Sequence, residues 1–112
     1  MSKTHPANDL ERNVWLQLGF RDAEAHFLNA ELVLRLARRI KSLGLTQQQA
    51  AIRVGATQPE LSKILRGRFS EVSMERLMRF LAALGHRIEI KVGTAGRSKG
   101  DIVVSGGRKR AA

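Results

Sequence analysis

The sequence predicts a mainly α domain of four to five helices, followed by a short C-terminal β-strand. Three observations predict it. Between residues 22 and 85, apolar residues recur at spacings of three and four, with a capping residue ahead of each run and a glycine behind. Two of those helical starts, "TQQQ" at 46–49 and "TQPE" at 57–60, stand only eleven residues apart, with Gly55 between them. At "HRIEIKV" (86–92) the apolar period changes to two. A chain of 112 residues has room for one domain with a modest core.

Residues 1–9 are polar and contain Pro6. In "LERNVWLQLGF" (10–20), Leu10, Val14 and Leu18 fit a helix, whereas Val14, Leu16, Leu18 and Phe20 alternate as in a strand. The pattern leaves both open. Either way Trp15 and Phe20 are expected to be covered, in the same subunit or by a partner. Asp22 is a good N-cap with Glu24 behind it, where the helix dipole favours carboxylates. This first helix is expected to run to Leu43 and to stop at Gly44. Leu32, Leu36, Ile40 and Leu43 form one stripe, with Phe27, Ala30, Leu34 and Ala37 expected to widen the buried face. Arg35, Arg38, Arg39 and Lys41 occupy much of the remainder.

Thr46 can accept from the N–H of Gln49 while Gln49 reaches back, which is a capping box; Thr57 and Glu60 repeat the arrangement. Pro59 falls in the first turn, where its missing N–H costs nothing. These signals predict helices over about 46–53 and 58–66. Gly55 permits the positive φ that a tight interhelical turn demands. Ser73 caps a fourth helix carrying Met74, Leu77, Leu81 and Leu84, with Gly85 as its stop. Ile88, Ile90 and Val92 then alternate with Arg87, Glu89 and Lys91 as in a half-buried strand, which must pair to be stable. The last twenty residues are Gly-rich and basic, and "DIVV" (101–104) offers a second strand.

Charge narrows the partners. Twenty Lys and Arg against ten Asp and Glu leave +10, with a pI of about 11.5. Such a balance points to a polyanion, nucleic acid ahead of a membrane surface. The absence of cysteine excludes disulfides and Cys-based zinc sites. His5, His26 and His86 lack metal-ligand spacing, so no metal and no cofactor are expected. No apolar run approaches a membrane span, and the N-terminus lacks the core of a signal peptide. A soluble cytoplasmic protein, associated with the nucleoid, is the expectation. No nucleophile–base pair or phosphate-cradling loop suggests catalysis, so no catalytic residue is assigned. Aromatic residues are 4% and Tyr is absent, which disfavours stacking on unpaired RNA bases.

Two short capped helices, a glycine turn and a long preceding helix suggest a helix-turn-helix, whose second helix enters the DNA major groove. Ala50, Ala51, Val54, Leu61, Ile64 and Leu65 would pack such a turn in any small helical bundle. What a bundle leaves unexplained is the outer side, with Gln47, Thr57, Gln58, Lys63, Arg66 and Arg68. Amides and cations of this kind bond phosphates and base edges.

Through Thr46, Gln47, Ala51, Gly55, Thr57, Gln58, Leu61, Ser62, Ile64 and Gly67, residues 46–67 resemble the motif of the Cro/CI-like regulators, also called the xenobiotic response element family. With "NVWLQLGFRDAE" and "GHRIEIKV" added, the chain is similar to a subgroup of short regulators that includes antitoxins of the host-inhibition-of-growth (HigA-like) kind. The resemblance implies a repressor-like domain on double-stranded DNA. It implies that Gln47 bonds a phosphate and braces the next helix, and that Gln58 reads a base edge. Lys63, about a turn and a half later on the same face, would reach a guanine or a phosphate. Thr57, Arg66, Arg68 and Ser70 would hold phosphates. Pro59 departs from the family, which often has a polar base-reading residue there, and leaves only apolar contact with a base. Phe69 is expected in the core.

The strand offers a dimer element: Ile88, Ile90 and Val92, joined by Trp15, would form the interface of a homodimer, with Ile88 and Ile90 buried on the fourth helices. Pairing with 101–104 inside one chain is the alternative. The expected organisation is an N-terminal arm (1–21), a DNA-binding domain (22–85, motif 46–67), a dimerisation strand (86–92) and a basic tail (93–112). Two functions compete. One is a dimeric repressor on a pseudopalindromic operator. The other is an antitoxin that masks a toxin protein through the arm around Trp15 and regulates its own operon.

Overall fold

The computed structural model describes residues 22–96 and 100–105, so the readings of 1–21, Trp15 and Phe20 among them, lie outside the described residues. Four helices follow one another: α1 (Asp22–Ser42), α2 (Gln47–Val54), α3 (Gln58–Leu65) and α4 (Met74–Ala83). Each ends in the same way, with the N–H groups just past the helix folding back onto the carbonyls of its last turn. In α2 these are Gly55 N–H to Ile52 and Ala56 N–H to Ala51; in α4 they are Gly85 N–H to Ala82 and His86 N–H to Leu81. The closure needs a left-handed residue, and Gly55 (φ 80°) and Gly85 (φ 98°) supply it.

Ends meet ends between α1 and α4. Near the start of α1, Asn29 donates to the carbonyl of Val72 at 3.3 Å. Near its finish, Arg39 Nε donates to the carbonyl of Leu84 at 2.8 Å. The two helices therefore run side by side in the same sense, and the Arg39 cation sits at the C-terminus of α4, where the helix dipole favours it. A Cβ at Gly85 would stand 2.7 Å from that guanidinium. His86 follows directly, and its pKa lies below the ordinary 6.5 because burial removes water from it and because Arg39 and Arg35 repel a second positive charge.

The core between the helices contains Leu32, Leu36, Ile40, Ala50, Ala51, Leu61, Ile64, Phe69, Leu77, Phe80, Leu81 and Leu84. The predicted stripe Leu32, Leu36 and Ile40 is buried and Leu43 packs partly against it. The predicted widening holds for Ala30, which packs partly against the core, and fails for Phe27 and Leu34, which are 61% and 46% exposed, while Leu28 and Val33 are buried. Leu34 is two positions from Leu36, a rotation of roughly 200° about the helix. It cannot share that face.

The expected C-terminal strand is absent among the described residues. Residues 86–92 form no ladder, and 101–104 do not pair with them. A strand is defined by hydrogen bonds to a neighbour, and the single chain offers this segment none. In the single chain Ile88 and Ile90, expected against α4 in a dimer, are exposed at 38% and 77%, and Val92 at 91%. Of the second segment, Val104 packs partly against the core while Val103 stays outside.

Candidate nucleic-acid interface

Helices α2 and α3 start with the same grammar and are anchored differently. At α2, Thr46 Oγ1 accepts from Gln49 N–H at 3.0 Å and Gln49 Oε1 accepts from Thr46 N–H at 2.9 Å, the complete capping box that was expected. At α3, Thr57 Oγ1 accepts from Glu60 N–H at 3.1 Å. The return half is missing. Glu60 instead pairs with Arg76 of α4 through both carboxylate oxygens, the longer contact measuring 3.2 Å. Two bonds to a guanidinium of opposite charge are stronger than one reach-back bond to an uncharged amide, so Arg76 wins the carboxylate. Arg76 also lies over the ring of Phe80, 5.0 Å from its centroid, which fixes the guanidinium from the other side.

The turn from α2 to α3 occupies Gly55 to Thr57. Ala50 and Ala51 are fully buried beneath it, and their small side chains let Leu61 and Ile64 of α3 approach closely. Burying Leu61 and Ile64 turns the opposite side of α3 outward. Gln58, Pro59, Lys63 and Arg66 are exposed there and Ser62 is half-buried. Gln58 and Lys63 do not share a face as expected: five residues rotate the helix by roughly 140°. They flank an arc whose middle holds Pro59, Ser62 and Arg66. Ser62 belongs to the motif yet was not among the predicted contacts, and the hundred-degree step was the signal that places it. Arg66 Nη1 donates to Ser62 Oγ at 3.1 Å.

Gln47 opens α2 and Gln58 opens α3, and their amides meet, Gln58 Nε2 donating to Gln47 Oε1 at 3.1 Å. The predicted brace is present. It leaves Gln58 with its carbonyl oxygen and one N–H unused, and Gln47 with its NH₂ group. Thr57 is engaged as a cap but keeps lone-pair capacity.

Past α3, Phe69 is buried and stacks on His26 of α1, with centroids 4.8 Å apart and planes 14° from parallel. Phe69 is thus core, as expected. By anchoring the α3–α4 loop it sets Arg68 and Ser70, both exposed, beside the end of α3. Arg53, Lys63, Arg66 and Arg68 are all exposed on or beside the two short helices, whereas the single acidic residue in the first turn of α3, Glu60, is neutralised by Arg76. The predicted site residues of 47–70 are all exposed on or beside the two short helices, and Gln47 and Gln58 meet directly. Ile88, Ile90 and Val92 follow α4 in the chain, and Trp15 lies outside the described residues.

Among the described residues no group of His, Asp or Glu could hold a metal ion, and no helix is long and apolar enough to cross a membrane. A family model described as a helix-turn-helix domain matches residues 14–93. Comparison with curated proteins and with solved structures found no match.

Proposed function

We propose that this chain, which belongs to the helix-turn-helix domain family, is a sequence-specific transcriptional regulator that acts as a dimeric repressor. The family supports DNA binding. The finer reading rests above all on the Gln47–Gln58 amide pair. An adenine edge presents an acceptor at N7 and a donor at N6, and a glutamine amide matches both. Gln58 has those two groups left after bonding Gln47, and the bond holds its rotamer before DNA arrives, which lowers the entropy lost on binding. Gln47 retains its NH₂ for a phosphate at the rim of the groove. Lys63 flanks the arc for a guanine or a phosphate, Pro59 offers apolar contact, and Thr57, Arg66, Arg68 and Ser70 hold the backbone. The chemistry is recognition without catalysis, metal or cofactor, as expected of a Cro/CI-like regulator at the nucleoid. A dimer would set two α3 helices about 34 Å apart, on an operator with matching two-fold symmetry.

Selection from a randomised duplex library at near-physiological salt tests this: enrichment of a two-fold motif supports the repressor, and binding without enrichment defeats it. Two substitutions separate the roles. Lys63→Ala should cost about 1–3 kcal/mol on the selected duplex and relax choice at one base pair. Equal weakening on random DNA would remove Lys63 from base reading. Arg66→Ala should weaken all duplexes alike and reduce the salt slope by about one unit.

A second reading, an antitoxin of the HigA-like kind, is favoured by one observation. Phe27 and Leu34, seven residues apart on the outer side of α1, are 61% and 46% exposed, an apolar pair that a protein partner would cover. In this reading Leu34→Arg abolishes protection of cells expressing a neighbouring toxin and leaves duplex binding intact. Loss of duplex binding instead would reject it.

A further inference from the structure

The segment after α4 carries more information than its lack of a partner suggests. Arg87 Nη2 and Glu89 Oε2 are 3.2 Å apart. Side chains two apart meet when they project from the same side of the backbone, as in a strand. Lys91 continues that polar series, and Ile88, Ile90 and Val92 alternate with it at 38%, 77% and 91% exposure. One edge of backbone with one apolar and one charged face is therefore presented to whatever pairs with it.

We propose that residues 88–92 pair antiparallel with the same residues of a second copy, in the register that puts Ile90 opposite Ile90 on the two-fold axis. This rests on the dimeric reading above and adds the register. Opposed residues in an antiparallel pair share a face, so a centre between two residues would set apolar against charged side chains. Only centres on a residue remain. A centre on Glu89 sets Glu89 against Glu89 and Arg87 against Lys91, like charge throughout. A centre on Lys91 opposes two lysines and leaves Glu89 facing Gly93. A centre on Ile88 places Val92 opposite Leu84, which is the fully buried cap of α4 and unavailable to a strand. Within 88–92, the centre on Ile90 alone satisfies every pair. Glu89 faces Lys91 twice, Ile88 faces Val92 twice, and Ile90 faces itself. Opposite charges directly across a strand pair stabilise it and like charges destabilise it.

The absence of native cysteine makes the register measurable. Ile90→Cys should form an intermolecular disulfide readily, because opposed Cα atoms lie about 4.5–5.5 Å apart. Ile88→Cys should not, because its two copies would be offset by four residues, roughly 13 Å. Independently, Lys91→Glu and Glu89→Lys should each weaken the dimer about tenfold in sedimentation without DNA, and the double exchange should restore it. All these positions are exposed, so unchanged helical melting checks that the body is intact. Linking through position 88, or charge variants that leave the dimer unaltered, overturns the register while leaving DNA recognition standing. A wild-type chain that sediments as a monomer overturns the pairing itself. Failure of duplex selection with the predicted cross-link intact would instead reject the regulatory reading alone.

Discussion

Helices α2 and α3 begin with nearly the same four residues, "TQQQ" and "TQPE", and are eight residues long, yet only α2 is complete by itself. Its box closes within four residues, Thr46 to Gln49. The start of α3 shares its groups with two other helices, Glu60 with Arg76 of α4 and Gln58 with Gln47 of α2. The difference fits the function proposed above, in which α3 is the helix that must be aimed. A helix that only supports the turn is adequately held by its own cap and two buried alanines. A helix that reads a groove has to hold its rotation about its axis, and contacts to separate helices fix that rotation where a local cap does not. Approaching α3 from α2 and from α4, the two tethers resist twisting in both directions.

The largest predicted effect tests the packing under both. Leu61 is 0% exposed, and Leu61→Ala should lower stability by about 2–5 kcal/mol through lost burial and the cavity left behind. Ile52 of α2 is 74% exposed, so Ile52→Ala should stay within about 0.5 kcal/mol. Thermal or urea unfolding measures both. Similar losses at the two sites would mean that α2 faces the core differently and that the comparison is mistaken.

Thr57→Ala removes the cap of α3 and should cost about 1 kcal/mol. Because the tethers of Glu60 and Gln58 remain, the loss should appear as fraying of the first turn, read as faster amide exchange at Glu60 and Leu61, whose N–H groups bond Thr57. Faster exchange across the whole domain would show that α3 has no hold besides its cap.

How far the sequence disclosed these features follows from their range along the chain. Capping residues, glycine stops and the 3.6-residue period act over one or two turns, so all four described helices were legible with ends correct to about one residue. The Glu60–Arg76 pair spans sixteen positions and competes with a local bond of the same carboxylate. Nothing in "TQPE" decides that contest. The faces of α1 were misread for a different reason: leucines at Leu34 and Leu36 look equivalent by composition, and only rotation about the axis separates them. The same rotation separates Gln58 from Lys63. The alternation at 88–92 predicts a strand that the described residues do not form, because a pattern does not supply a neighbour and the single chain leaves the segment unpaired. At the candidate interface the resemblance implied the Gln47–Gln58 brace, which is present, while the arc and the neutralised carboxylate come from the tertiary fold.

The smallest effects give the sharpest contrast. Glu60→Ala should cost about 1 kcal/mol or less, since both partners of the pair are partly exposed, at 42% for Arg76 and 31% for Glu60. Glu60→Gln should cost less again, because a glutamine released from Arg76 can reach back to Thr57 and complete the box as Gln49 does. Gln49→Ala removes one exposed neutral bond and should cost a few tenths of a kcal/mol. Salt separates them. At 1 M salt, where screening extends to about 3 Å, the loss from Glu60→Ala should shrink and that from Gln49→Ala should not. If both losses respond to salt alike, charge does not hold α3, and the distinction between a self-sufficient helix and a tethered one fails at its root.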